Sequence, residues 1–133
     1  MTSKATYLGE LRTESEHIQS GSKTITDAPV DNHGKGEAFS PTDTVANALA
    51  TCMLTIMGIK AESLGIKIQG ASAEVTKTMA SEPRRISKIE VHILFPETYS
   101  EKNTKILEKA AKTCPVLESL HPAIEKDISF QYS

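Results

Sequence analysis

Apolar and polar residues alternate along this chain in two rhythms, and the switches between them outline its elements. From Ala5 to His17, ATYLGELRTESEH alternates roughly residue by residue, the period of a strand with one covered face. SGSKTITDAP, Ser20 to Pro29, reads as a tight turn followed by a second short strand, so the N-terminal region predicts an antiparallel hairpin or meander. Asp31 to Phe39, DNHGKGEAF, is dense in turn formers and predicts a loop. Strand rhythm returns at Ile66 to Met79 and at Arg85 to Phe95, two long strands joined by the turn Ser81-Glu82-Pro83. Between Tyr99 and Thr113, Ile106, Leu107, Ala110 and Ala111 recur at helical spacing among Lys and Glu, which predicts an amphipathic helix. Pro115 disfavours helical geometry at Cys114 and ends that helix. A short helix from Pro115 to about Leu120 and a last strand from Ile124 to Tyr132 complete the pattern.

The segment after the loop carries the strongest local signal. Ser40 can cap a helix, Pro41 suits the first helical position, and Asp43 stands where its carboxylate reaches back to the cap. A helix of roughly 24 residues, about 36 Å long, should run from here to a stop at Gly65. From Val45 to Ile59 its middle offers almost no polar face, so it must be covered on several sides. A chain of 133 residues has little to cover it with, and contact between two such helices across a dimer interface is the natural expectation.

Composition narrows the class. The length fits one domain, residues 1–133, with no linker-like stretch to divide it. A net charge of -2 supplies no basic footprint, which argues against nucleic acid as a partner. The N-terminus lacks the pattern of a signal peptide, and the longest apolar region holds too many polar residues for a membrane span, so the expected location is cytoplasmic with no membrane association. His17, His33, His92 and His121 show no HxxxH spacing, the cysteines form no CxxC, and no metal or cofactor is called for. His121, seven residues after Cys114, has the chemistry to donate to a thiolate, and it suits a helix end equally well. Gly34-Lys35-Gly36 lacks the remaining spacing of a phosphate loop.

The two cysteines hold the most distinctive chemistry. In a reducing compartment a cysteine pair is seldom a static staple, although free cysteine also packs well as a small hydrophobe. Cys52 falls midway along the apolar helix and Cys114 at a helix restart, where the N–H groups after Pro115 favour negative charge. Sequence spacing leaves open whether the two meet.

Phe39 to Ile59, FSPTDTVANALATCMLTIMGI, resembles the long central helix of the OsmC/Ohr family, and Cys114-Pro115-Val116 resembles that family's second cysteine motif. The order of elements is similar over essentially the whole chain. The resemblance implies an α+β, OsmC-like fold: antiparallel sheets wrapped around long central helices in an intertwined homodimer. It implies a thiol-dependent peroxidase in which Cys52 attacks an organic hydroperoxide or hydrogen peroxide and Cys114 closes a disulfide on the resulting sulfenic acid. An external dithiol or a lipoyl-bearing protein would reopen that disulfide.

One position departs from the family pattern. The glutamate that relatives carry soon after the helix-starting proline, paired with an arginine to orient the cysteine, falls here on Thr42. Asp43 is the adjacent carboxylate, and capping accounts for it equally. Arg12 is the candidate arginine in the N-terminal sheet region, with Arg84 and Arg85 as alternatives. Two other readings stand beside the peroxidase: a binding protein holding a small hydrophobic ligand near Met53, Leu54 and Met57, and a redox sensor that oxidises readily but recycles slowly.

Overall fold

The computed structural model describes residues 1–133. They divide into two compact units, Met1–Val45 and Ala46–Ser133, with the boundary inside the long helix.

The first unit is an antiparallel meander of β1 (Ser3–Gly9), β2 (Arg12–His17) and β3 (Lys23–Asp27), in spatial order β1-β2-β3. The alternating run from Ala5 to His17 thus contains two strands rather than one. Gly9, Glu10 and Leu11 all take positive φ, 88°, 54° and 65°, and this left-handed run folds the chain back on itself. Hydrophobic pattern alone does not reveal such a turn, because the side chains on either side of it keep alternating.

The meander is held by charge rather than by an apolar core. Arg12 donates through Nε and Nη2 to the two carboxylate oxygens of Asp27, at 2.7 and 2.8 Å. Asp27 also accepts the Glu37 backbone N–H at 3.1 Å, which ties the loop to β3. The only buried residues of this unit are Asp27 and Ser40. Tyr7, Leu8, Leu11, Ile25, Val30 and Phe39 are all exposed.

α1 spans Pro41–Leu64. Its start follows the sequence signal: the Asp43 N–H donates to Ser40 Oγ at 3.1 Å, and the Ser40 N–H donates to the Asp43 carboxylate at 3.0 Å, a reciprocal capping box. By length and composition alone α1 could cross a membrane, a test that the core helix of a soluble protein also passes, and its buried face belongs to the core.

In the second unit, Ala46, Leu49, Ala50, Met53, Met57 and Ala61 of α1 are buried and fall within an arc of about 120° at the helical repeat. They form one core with Ile89, Val91, Ile93 and Phe95, the alternate residues of β5 (Arg85–Phe95), and with Leu107 and Ala111 of α2 (Glu101–Ala111). Cover from within the chain is therefore one-sided, and Ile59 remains 62% exposed.

β5 is the central strand of the second sheet, flanked by β4 (Ser72–Ala80) and β6 (Glu125–Tyr132). β4 begins six residues later than its alternating pattern suggests. Gly70 takes φ +96° and Ala71 donates to the Ile68 carbonyl, so 66–71 forms a turn before the strand. β4 pairs antiparallel with β5, as expected, whereas β6 runs parallel to it. The crossover through α2 and α3 (Pro115–Ser119) is long enough to return the chain in that direction. The register sets Ile128 beside Val91, Phe130 beside Ile93 and Tyr132 beside Phe95, whose ring stacks on Tyr132 at 4.7 Å. The Tyr132 hydroxyl donates to Glu108 at 2.7 Å and fastens β6 to α2.

Hydrogen bonding and charge from Arg12 hold the Asp27 carboxyl below its ordinary range. A depressed carboxylate contributes stability that is fully present above about pH 4 and is lost as the pH falls through the lowered value. Denaturant unfolding at several pH values should show the wild type losing stability more steeply below that point than Asp27→Asn; parallel profiles would contradict this role.

Candidate active site

Cys52 sits at the rim of the buried stripe of α1, half-buried and packed against the core. Cys114 is fully buried and caps α3. Its backbone, at φ -73° and ψ 148°, is extended, as the following proline demands, and its Sγ accepts the Leu117 N–H at 3.4 Å.

The fold makes the two thiols neighbours, which sequence spacing had left open. Burial pushes the Cys114 thiol up. The Leu117 N–H pulls the other way, and Cys52, acting both as hydrogen-bond partner and as a charge, raises it again. Two adjacent sulfurs resist ionising together, and Cys114 is the member held protonated. That leaves the half-exposed Cys52 as the sulfur able to meet an incoming electrophile and the protonated Cys114 as a donor beside it.

Arg12 and Asp43 belong to the first unit and make other bonds. Arg12 forms the bidentate pair with Asp27 and lies 3.8 Å from Glu37. Asp43 closes the capping box with Ser40. Arg85 is turned to its own loop, donating to the carbonyls of Ser81 and Pro83. The His121 Nδ1 accepts the Ala123 N–H at 3.0 Å in the turn before β6. No cluster of His, Cys, Asp and Glu side chains has the arrangement of a metal site.

Sequence reasoning missed Asp27, the buried partner of Arg12. An arginine at the start of β2 and an aspartate at the end of β3 become opposite residues once the meander register is known, and the register depends on the unread turn at Glu10-Leu11.

A half-exposed thiol on a long core helix, beside a buried thiol at a proline-started helix, defines a two-cysteine α+β protein. The sequence profile of the OsmC-like protein family matches residues 34–129, and the chain belongs to that family. A crystal structure of a protein from Psychrobacter arcticus 273-4, provisionally named as an osmotic stress induced and detoxification response protein, is similar at 54% identity and a TM-score of 0.95, covering 98% of this chain and 95% of that one. The organic hydroperoxide resistance protein OsmC of Legionella pneumophila shares the fold at a TM-score of 0.76 and 17% identity, over 98% of this chain and 97% of that one. An organic hydroperoxide resistance protein of Elizabethkingia anophelis does so at 0.77 and 17%, over 100% and 97%. No curated protein sequence matches the chain.

Brief alkylation at neutral pH should modify Cys52 faster than Cys114, because Cys52 is half-exposed whereas Cys114 is fully buried. Peptide mapping by mass reads it directly, and faster labelling of Cys114 would contradict the assignment.

Proposed function

We propose that this protein reduces hydroperoxides with the Cys52–Cys114 pair, as a cytoplasmic thiol peroxidase of oxidative stress defence. The observation that carries this reading is the apposition of a half-exposed and a buried, protonated thiol. The Cys52 thiolate attacks the terminal oxygen of the hydroperoxide and the O–O bond breaks. The leaving alkoxide takes a proton and departs as the alcohol, and Cys52 becomes a sulfenic acid. The Cys114 sulfur then attacks the Cys52 sulfur and expels water, leaving a disulfide. An external dithiol or lipoyl-bearing reductant restores both thiols by exchange. Organic hydroperoxide resistance in the name of the fold's Legionella and Elizabethkingia representatives supports the choice of electrophile.

An orienting role for Arg12 and Asp43 rests on the family resemblance, and the bonds they make to Asp27 and Ser40 order the segments that carry them. A homodimer is part of the same reading. It is supported by a first unit that exposes nine large apolar side chains without a core of its own, and by the uncovered side of α1. Apolar surface of this kind is what a second copy would bury.

Cys52→Ser should reduce peroxide consumption to the uncatalysed rate. Cys114→Ser should still react once and then accumulate a sulfenic acid on Cys52, captured by dimedone and located by mass. Undiminished turnover by Cys52→Ser would sink the proposal. Light scattering of the purified protein should give twice the monomer mass of 14.4 kDa, and a monomer would remove the dimer from the account.

A further inference from the structure

Two helices of this chain begin in the same way. Ser40-Pro41 starts α1 and Cys114-Pro115 starts α3, and in each the residue before proline accepts the N–H three residues on. Ser40 Oγ accepts from Asp43 at 3.1 Å, an oxygen cap reinforced by the returning Asp43 carboxylate. Cys114 Sγ accepts from Leu117 at 3.4 Å, and leucine has no polar side chain to return a bond. Sulfur is the weaker acceptor, and serine, threonine, asparagine and aspartate are the residues that suit a cap. α3 is also poorly secured otherwise. It is five residues long and none of them is buried. Glu118 donates to the Cys114 carbonyl at 3.2 Å and Leu120 to the Leu117 carbonyl at 3.4 Å, so the first turn depends on the cap to satisfy the Leu117 N–H.

What sulfur adds at such a position is oxidation. We propose that the Cys114 cap makes α3 a redox-operated latch, closed while both thiols are free and released when Cys52 and Cys114 are joined. The inference rests on the thiol-pair reading above and concerns the regulation of that site. When the disulfide forms, the Cys114 thiol gives up its proton, its sulfur attacks the Cys52 sulfenic sulfur, and the hydroxide that leaves takes the proton as water. The Cys114 sulfur has then turned from the Leu117 N–H to Cys52. A part-buried donor without a partner is costly, and the Leu117 N–H recovers one by opening the first turn of α3 to water. Reduction runs the other way. An incoming thiolate attacks the half-exposed Cys52 sulfur, the electron pair of the S–S bond leaves on Cys114, and the departing sulfur is met by the Leu117 N–H as the cap closes. The cap is therefore a bond of the reduced form alone. It favours recovery of the thiols and leaves the oxidised protein marked by an open segment at 115–120.

Diamide oxidises a thiol pair to a disulfide without peroxide, so the test stands apart from turnover. Hydrogen exchange at the amides of 116–120 should run about fivefold faster in the diamide-oxidised protein than in the reduced one, the factor that loss of one cap gives. Cys114→Ser treated in the same way should show no change, because serine caps and forms no disulfide. A second measurement uses Glu118→Gly, an exposed substitution that weakens α3 and touches neither sulfur. If α3 is formed only in the reduced state, this variant destabilises that state alone, and its disulfide should be favoured about threefold more in a glutathione buffer than that of the wild type. Equal exchange in the two redox states, or a glutathione equilibrium unmoved by Glu118→Gly, overturns the latch. So does the absence of a Cys52–Cys114 disulfide after diamide. A protein that consumes no hydroperoxide, yet opens α3 when diamide joins its thiols, would remove the peroxidase reading and uphold the latch.

Discussion

A residue before proline is driven out of helical geometry by the proline ring, and the placement of the thiol pair depends on that steric rule. α2 has already ended at Ala111; at Cys114-Pro115 the rule keeps the chain out of the helix, holds Cys114 extended, and lets Pro115 start α3 without a missing hydrogen bond. The result is a buried sulfur capping a new helix, with the Leu117 N–H directed at it. Without the break, Cys114 would continue the turn of α2 and lose the backbone donor it meets at the start of α3. The second constraint is the stripe of small and flexible side chains on α1. Alanines at 46, 50 and 61 let the helix lie close against the core, while Met53 and Met57 fill the gaps between the branched residues of β5. Cys52 lies at the rim of that stripe, where it is packed yet still reachable.

Much of this was legible in the sequence because it is local. The capping box at Ser40 and Asp43, the stop at Gly65, the full extent of β5 and the restart at Pro115 each follow from a few adjacent residues. What escaped depends on backbone torsions or long-range register. The turn at Glu10-Leu11 lacks the Asn-Gly or Gly-Gly pair that usually marks its left-handed residues, and missing it concealed the pairing of Arg12 with Asp27. The parallel placement of β6 could not be read from its alternation, since both strand directions bury the same set of side chains. The meeting of Cys52 and Cys114 is a tertiary fact, and only the family resemblance anticipated it.

The two units differ in what stabilises them. The second has a continuous core of aliphatic and aromatic side chains. The first relies on its strand ladders and on one buried carboxylate held by an arginine. A charge pair fixes geometry well but stabilises less than apolar burial, because both ions lose water. The apolar residues of the first unit are therefore largely exposed, whereas both cysteines lie in the well-packed second unit.

The central claim is that Cys52 and Cys114 form one redox couple. The most direct test adds one equivalent of cumene hydroperoxide to the reduced protein and follows intact mass together with free thiols. The account predicts the loss of two hydrogens' mass and of both thiols within one chain, with neither change in Cys52→Ser. Two thiols left free and an unchanged mass would contradict it, and would leave a scaffold kept for binding rather than for peroxide chemistry.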